Sequence, residues 1–139
     1  MQTKISIPRP KWLVQAVKFG AVGILNTAID LGLYYALTRW LGLGGLPVVA
    51  KSLSYSAGIL NSFLWNKFWT FQSRAGTMKT LLPFILTALV GLGINAGTLQ
   101  VCLKTLHLPE LVALGAATLI TLFWNFVISK FVIFKESSQ

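Results

Sequence analysis

Asn26 and Asp30 stand one helical turn apart inside a long apolar stretch, FGAVGILNTAIDLGLYYAL, residues 19–37. A carboxamide offers both donors and an acceptor, which suits phosphate oxygens and sugar hydroxyls. Asp30 lies roughly 12 Å inside the outer end of that stretch at 1.5 Å of helical rise per residue. Lys51 stands about one turn into the next apolar stretch from the same side, and a lysine stem is long enough to turn its ammonium inward. An ionisable residue within an apolar span implies a functional role and a named partner. The expected partner of Asp30 is Lys51.

More polar residues follow at helical spacing. Tyr55, Gly58, Ser62 and Asn66 share one face, and 63 residues later Thr118, Thr121, Asn125 and Ser129 repeat it. Asn95 adds a carboxamide to the third apolar run. Unpaired polar groups are costly in hydrocarbon, so each stripe is expected to face the interior of a bundle. Some Ser and Thr positions need do no more than hold helices together, at about 0.6 kcal/mol each. Lys67 and Lys130 end the two stripes and could take a phosphate as point charges. Trp65, Trp69 and Trp124 offer apolar faces to a sugar ring and an indole N–H to a hydroxyl. Tryptophan and lysine at a membrane boundary equally suit an aromatic belt with snorkelling anchors.

These residues need a frame, and composition says which. Of 139 residues 55% are hydrophobic and 11% charged, with a mean hydropathy of +0.70. Soluble domains carry about 25% charged residues, so the chain falls outside that class. Apolar runs at 18–38, 47–69, 81–104 and 109–133 each approach the ~20 residues that cross a bilayer. The expectation is an all-α integral membrane protein, one transmembrane domain over residues 1–139 with four helices. The first run contains Asn26 and Asp30 and ends in Thr38-Arg39-Trp40, unlike a cleaved signal peptide.

The net charge of +9 does not describe a nucleic-acid binder, because the cations cluster at the ends of the runs. Lys4, Arg9, Lys11, Lys18, Lys67, Arg74, Lys79, Lys130 and Lys135 fall on one side; Arg39, Lys51 and Lys104 fall on the other. The positive-inside rule then puts both termini and the central connection in the cytoplasm, where they also attract anionic membrane lipids.

The chain repeats itself. NSFLWNKFWTF at 61–71 returns as WNFVISKFVIF at 124–134, and the 63-residue shift superimposes Lys67-Phe68 on Lys130-Phe131 and Phe71 on Phe134. Val22–Asn26 resembles Val90–Asn95 with one residue added. Pairing first with third and second with fourth spans preserves direction, which predicts two helical hairpins as a parallel repeat. Leu99 and Leu114 replace Asp30 and Lys51 in the second half, so the two charges disappear together. Pro47, Pro83 and Pro109 are expected to open helices, where a missing N–H costs little. Cys102 has no partner for a disulfide, and His107 alone makes neither a metal site nor a triad.

The segments 19–37, 50–71 (AKSLSYSAGILNSFLWNKFWTF), 89–95 (LVGLGIN) and 118–134 (TLITLFWNFVISKFVIF) together resemble the GtrA-like family of small bacterial membrane proteins. Related four-helix segments are fused to some polyprenyl-phosphate sugar synthases. The resemblance implies binding and translocation (flipping) of a polyprenyl-phosphate-linked monosaccharide across the bacterial cytoplasmic membrane, for cell-envelope polysaccharide synthesis. It carries onto Asn26, Asp30, Lys51, Asn61, Asn66, Lys67, Trp69, Asn125 and Lys130. The second copy departs from the pattern, with Ser129 and Val132 where the first has Asn66 and Trp69.

Two other functions fit a protein of this kind. One is an accessory subunit that recruits a membrane glycosyltransferase or presents its lipid substrate, docking through loop 72–80 and the tail 129–139. The other is a small proton-coupled drug exporter, which would need a carboxylate facing an aromatic cation pocket. The paired Asp30 and the inward asparagines favour an anionic, hydroxyl-rich ligand instead. No acid pair, activated nucleophile, metal set or nucleotide loop is present, so neither an enzyme nor a cofactor is expected. Four short spans make a thin bundle, and Gly20, Gly23, Gly91 and Gly97 permit close helix contacts, so a homo-oligomer of two or more chains is expected.

Overall fold

The computed structural model describes residues 9–135. Lys4 and tail residues 136–139, to which charge and docking roles fall on sequence grounds, lie outside that range. Among the described residues there are four long helices and no strand. Helix α1 runs Lys11–Arg39. Helix α2 runs Pro47–Trp65 and continues through one wide turn, Asn66–Thr70. Helix α3 spans Thr77–Gln100 with a wide turn at Val101–Thr105, and α4 spans Glu110–Ile128 with one at Ser129–Ile133.

Three of the four, Lys11–Arg39, Thr77–Thr105 and Glu110–Ile133, are long and apolar enough to cross a membrane. Helix α2 is of comparable length but more polar, because Lys51, four serines, two asparagines and Lys67 interrupt its apolar residues. Helices α1 and α3 begin seven and four residues earlier than the runs at 18 and 81 suggest. Hydropathy marks where the apolar surface begins, whereas a helix continues until its backbone is capped or broken. Pro10 and Gly76, both in extended conformation, set those starts.

Pro47 occupies the first turn of α2, as expected, and Pro109 is the residue before α4. Pro83 does not open α3. It sits inside the helix, and its missing N–H removes one bond of the ladder. The Thr87 hydroxyl donates to the Pro83 carbonyl at 2.8 Å.

The three wide turns end their helices in the same way. An N–H five residues on closes each: Phe71 to Asn66 at 2.9 Å, Leu106 to Val101 at 3.0 Å and Phe134 to Ser129 at 2.8 Å. Single-turn π segments of this kind are found at functional sites. Gln72 and His107 then take left-handed φ values of 49° and 52°. This reversal lets Ser73 N–H reach the Lys67 carbonyl and Leu108 N–H reach the Cys102 carbonyl, one residue wider than the six-to-one closure of an ordinary helix C-terminus. His107 therefore ends a helix. The 63-residue shift carries the wide turn Asn66–Thr70 onto Ser129–Ile133.

Helix α1 packs along α2 and α3 along α4, giving two hairpins that touch each other far less than they touch within themselves. What ties them is an aromatic cluster at the end bearing the 71–76 connection, termed the terminal end: Phe19, Phe63 and Phe71 from the first hairpin, Phe84, Ile133 and Phe134 from the second. Phe71 and Phe134, equivalent under the repeat, stack at 5.4 Å between centroids. Phe63 meets Phe84 edge-on at 5.5 Å. At 3% exposure Phe71 belongs to this core, whereas Phe68 and Trp69 face outward.

Of the glycines expected at contacts between chains, Gly23 and Gly91 are used inside the molecule, against Leu122 and Asn125, while nothing lies within 4 Å of a Cβ added at Gly20 or Gly97.

Candidate ligand cavity between the hairpins

Most of the two stripes converge where the hairpins part. A cavity of about 360 Å³ opens there, and all four helices line it. Thr118 is exposed and lies outside it, because α4 turns that end of its face away from the other hairpin. Helix α1 contributes Phe19, Gly23 and Asn26; α2 contributes Tyr55, Ser62 and Asn66. Opposite them stand Phe84 and Asn95 from α3, with Thr121, Asn125 and Ser129 from α4. No lining residue is charged. Phe19 and Phe84 also belong to the aromatic cluster, so the cavity's terminal end borders the clamp that joins the hairpins.

The polar atoms of this cavity are under-used by the protein. Asn26 Oδ1, Asn66 Oδ1, Asn125 Oδ1 and Ser129 Oγ are buried without a hydrogen-bond partner in the protein. Such an atom costs about 1–3 kcal/mol when left unsatisfied. Asn66 uses its nitrogen, donating to Ser62 Oγ at 3.2 Å. Asn26 and Asn125 share a different device. A Cβ added at Gly58 would stand 2.9 Å from Asn26 Oδ1, and one added at Gly91 would stand 2.6 Å from Asn125 Oδ1. Each carboxamide oxygen thus lies directly against a glycine of the neighbouring helix in its hairpin. Measured along the helices, Asn26 is roughly 10 Å beyond Phe19 and Asn125 roughly 14 Å before Phe134, so the two stand at similar depth.

The Asp30–Lys51 pairing is present. Lys51 Nζ donates to Asp30 Oδ2 at 2.6 Å, with side chains 51% and 17% exposed respectively. Ser54, fully buried, donates to Asp30 Oδ1 at 2.6 Å. Sequence reasoning misses this residue, although its place three residues after Lys51 puts it on the same helical face. The Lys51 ammonium also lies 5.9 Å from the Tyr34 ring centroid. Removing either partner leaves a charge with one neutral hydroxyl or ring for company. In a thermal-unfolding cycle the double variant Asp30→Ala/Lys51→Ala should lose less stability than the two single losses added, with a coupling of about 1–3 kcal/mol. Strict additivity would mean the pair contributes nothing.

The other candidates lie outside the cavity. Lys67 is buried, and its ammonium donates to the carbonyls of Ser73 and Ala75, holding the connection between the hairpins. Lys130 donates to Gln15 Oε1 at 2.7 Å, tying α4 to α1. Trp69 packs edge-on against Trp65 and under the Lys18 ammonium, 5.0 Å from its ring. Lys18 also donates to the Trp69 carbonyl at 3.3 Å. Trp124 donates its indole N–H to the Thr87 carbonyl at 3.2 Å, joining α4 to α3. Asn61 Nδ2 is buried without a partner and does not line the cavity. Neither Lys67 nor Lys130 reaches the cavity wall as the two phosphate anchors the sequence suggests.

The GtrA/DPMS transmembrane domain model matches residues 18–134. The chain is 33% identical over 121 residues to the uncharacterized membrane protein YngA of Bacillus subtilis, covering 86% of this chain and 79% of that protein. It is 32% identical over 90 residues to a dolichol-phosphate mannosyltransferase of Pyrococcus furiosus, covering 61% of this chain but 25% of that protein, most of which lies outside the match. A match that runs from the start of the polar face on α1 to the aromatic end of α4 makes this multi-pass membrane protein a member of the GtrA/DPMS transmembrane-domain family.

Proposed function

We propose that the protein binds a polyprenyl-phosphate-linked monosaccharide in the inter-hairpin cavity and carries its headgroup across the bacterial cytoplasmic membrane, without itself making or breaking a covalent bond. The observation that carries this reading is the cavity: about 360 Å³ of neutral, carboxamide-lined space within membrane-spanning helices, four of whose buried polar atoms lack a protein partner. That volume lies within the ~300–1,000 Å³ of small-molecule sites, and a ring rich in hydroxyls suits the carboxamides and hydroxyls of the residues that line it. The alkyl tail stays in lipid. In this reading all four helices span the bilayer, with the lysine-rich terminal end in the cytoplasm.

Reconstitution tests it. Purified protein in proteoliposomes should move a polyprenyl-phosphate sugar between leaflets faster than protein-free vesicles do. Binding without such movement would sink the translocation step.

A second reading takes support from the mannosyltransferase match. A segment similar to part of a synthase could present lipid substrate to a separate glycosyltransferase. Co-purification with a transferase whose activity fails without this chain would favour it.

A further inference from the structure

The cavity accounts for the sugar but not for the phosphate. None of its lining residues is charged, and an anion confined there would have no compensating cation. Lys67 donates to Ser73 and Ala75 and Lys130 to Gln15, and neither lines it. A second depression of about 490 Å³ adjoins it, lined by Pro47, Val48, Lys51, Ser52, Tyr55 and Leu92. Tyr55 and Leu92 belong to both. Its walls are mainly apolar, with Val48 76% and Leu92 53% exposed, and its one cation is Lys51.

We propose that this groove is a subsite for the phosphate and first isoprene units of the lipid-linked sugar, in which Lys51 exchanges the Asp30 carboxylate for the ligand's phosphate. The inference rests on the function proposed above. An ammonium has three donors, and here one is held by Asp30 at 2.6 Å while half the side chain remains exposed. Asp30 is itself retained by Ser54 at 2.6 Å, so it keeps a donor when Lys51 leaves. Asp30 does not line the groove, and its carboxylate competes with the phosphate for the Lys51 ammonium from beside it. The apolar walls select a phosphate carrying an alkyl chain over a free one, and the shared Tyr55 edge joins headgroup to tail. The second hairpin, with Leu99 and Leu114 at the related positions, has no such subsite.

The exchange predicts opposite effects from the two partners of one ion pair. Farnesyl phosphate, farnesol and inorganic phosphate are titrated into the purified full chain by calorimetry. Lys51→Gln should weaken farnesyl phosphate at least about tenfold, the scale of one lost charge-assisted hydrogen bond. Asp30→Asn, which removes the competing charge, should tighten it about threefold or more. Lys51→Arg should retain binding, and it controls for folding. Farnesol should bind all variants alike. Equal weakening by Lys51→Gln and Asp30→Asn would show a purely structural pair and overturn the proposal, as would a Lys51→Gln affinity within twofold of wild type. Inorganic phosphate binding as tightly as farnesyl phosphate would overturn the alkyl component. In proteoliposomes, wild-type transport that survives Lys51→Gln at full rate removes the subsite and leaves the proposed function standing. Absence of transport in the wild type removes that function whatever Lys51 does.

Discussion

Asn125→Leu is expected to stabilise the protein while slowing its transport. Asn125 Oδ1 is buried without a protein partner, and an unsatisfied buried acceptor costs about 1–3 kcal/mol. Leucine has the same number of side-chain heavy atoms and no polar atom, so the folded state should gain that amount less the cost of fitting its bulkier methyls beside Gly91. In the proposed function the Asn125 side chain, which lines the cavity, also contacts the ligand, and losing that hydrogen bond should lower the transport rate about 10–100-fold. Asn26→Leu should act with the same signs through the equivalent contact with Gly58. Gly91→Ala separates position from chemistry. Its Cβ would stand 2.6 Å from Asn125 Oδ1, so the carboxamide must shift, at an overpacking cost of about 1–3 kcal/mol. That variant should lose both stability and transport. Thermal unfolding in detergent alongside the vesicle assay reads both quantities. Should Asn125→Leu lose stability, the carboxamide is packing glue and not a ligand contact.

Phe134→Ala should cost more stability than truncation of any other ring in the aromatic cluster, about 3–5 kcal/mol. Its ring is 2% exposed and lies 5.4 Å from Phe71, 6.0 Å from Phe63 and 5.9 Å from Phe84. Two of those rings belong to the other hairpin. Because the hairpins meet little elsewhere, the loss should fall on their association and not on either hairpin alone. Phe131→Ala, three residues away and 60% exposed, should change stability by less than about 0.5 kcal/mol. Unfolding midpoints of the two variants check this directly, and equal midpoints would show that no aromatic clamp joins the hairpins.

The hairpins and much of the cavity wall are legible in the residue pattern. Gly58, Ser62 and Asn66 recur every three or four residues, and a helix must then place them on one face whatever surrounds it. Asp30 and Lys51 can be paired because carboxylate and ammonium are costly apart in hydrocarbon and their depths agree. Pro83 departs from expectation because a local rule for proline says where it is cheapest, whereas α3 continues through it at the loss of one ladder bond. Charge and position alone make Lys67 and Lys130 resemble phosphate anchors. Lys67 donates to two carbonyls and Lys130 to one amide oxygen, from segments that no local spacing brings near, and neither lines the inter-hairpin cavity.

What sequence alone determined is therefore periodic and compositional: an apolar helical protein, two related hairpins, polar faces turned inward, and an acid matched to a base. Tertiary structure decided which polar groups remain available. Gln15, Ser73, Ala75 and Thr87 engage Lys130, Lys67 and Trp124, while Asn26, Asn66, Asn125 and Ser129, which line the cavity, keep buried oxygens without a protein partner. Periodicity sets the direction of a side chain from its own helix axis. Whether a donor or acceptor is free depends on what the other helices bring to it, and that is set only when the hairpins close on their shared aromatic cluster.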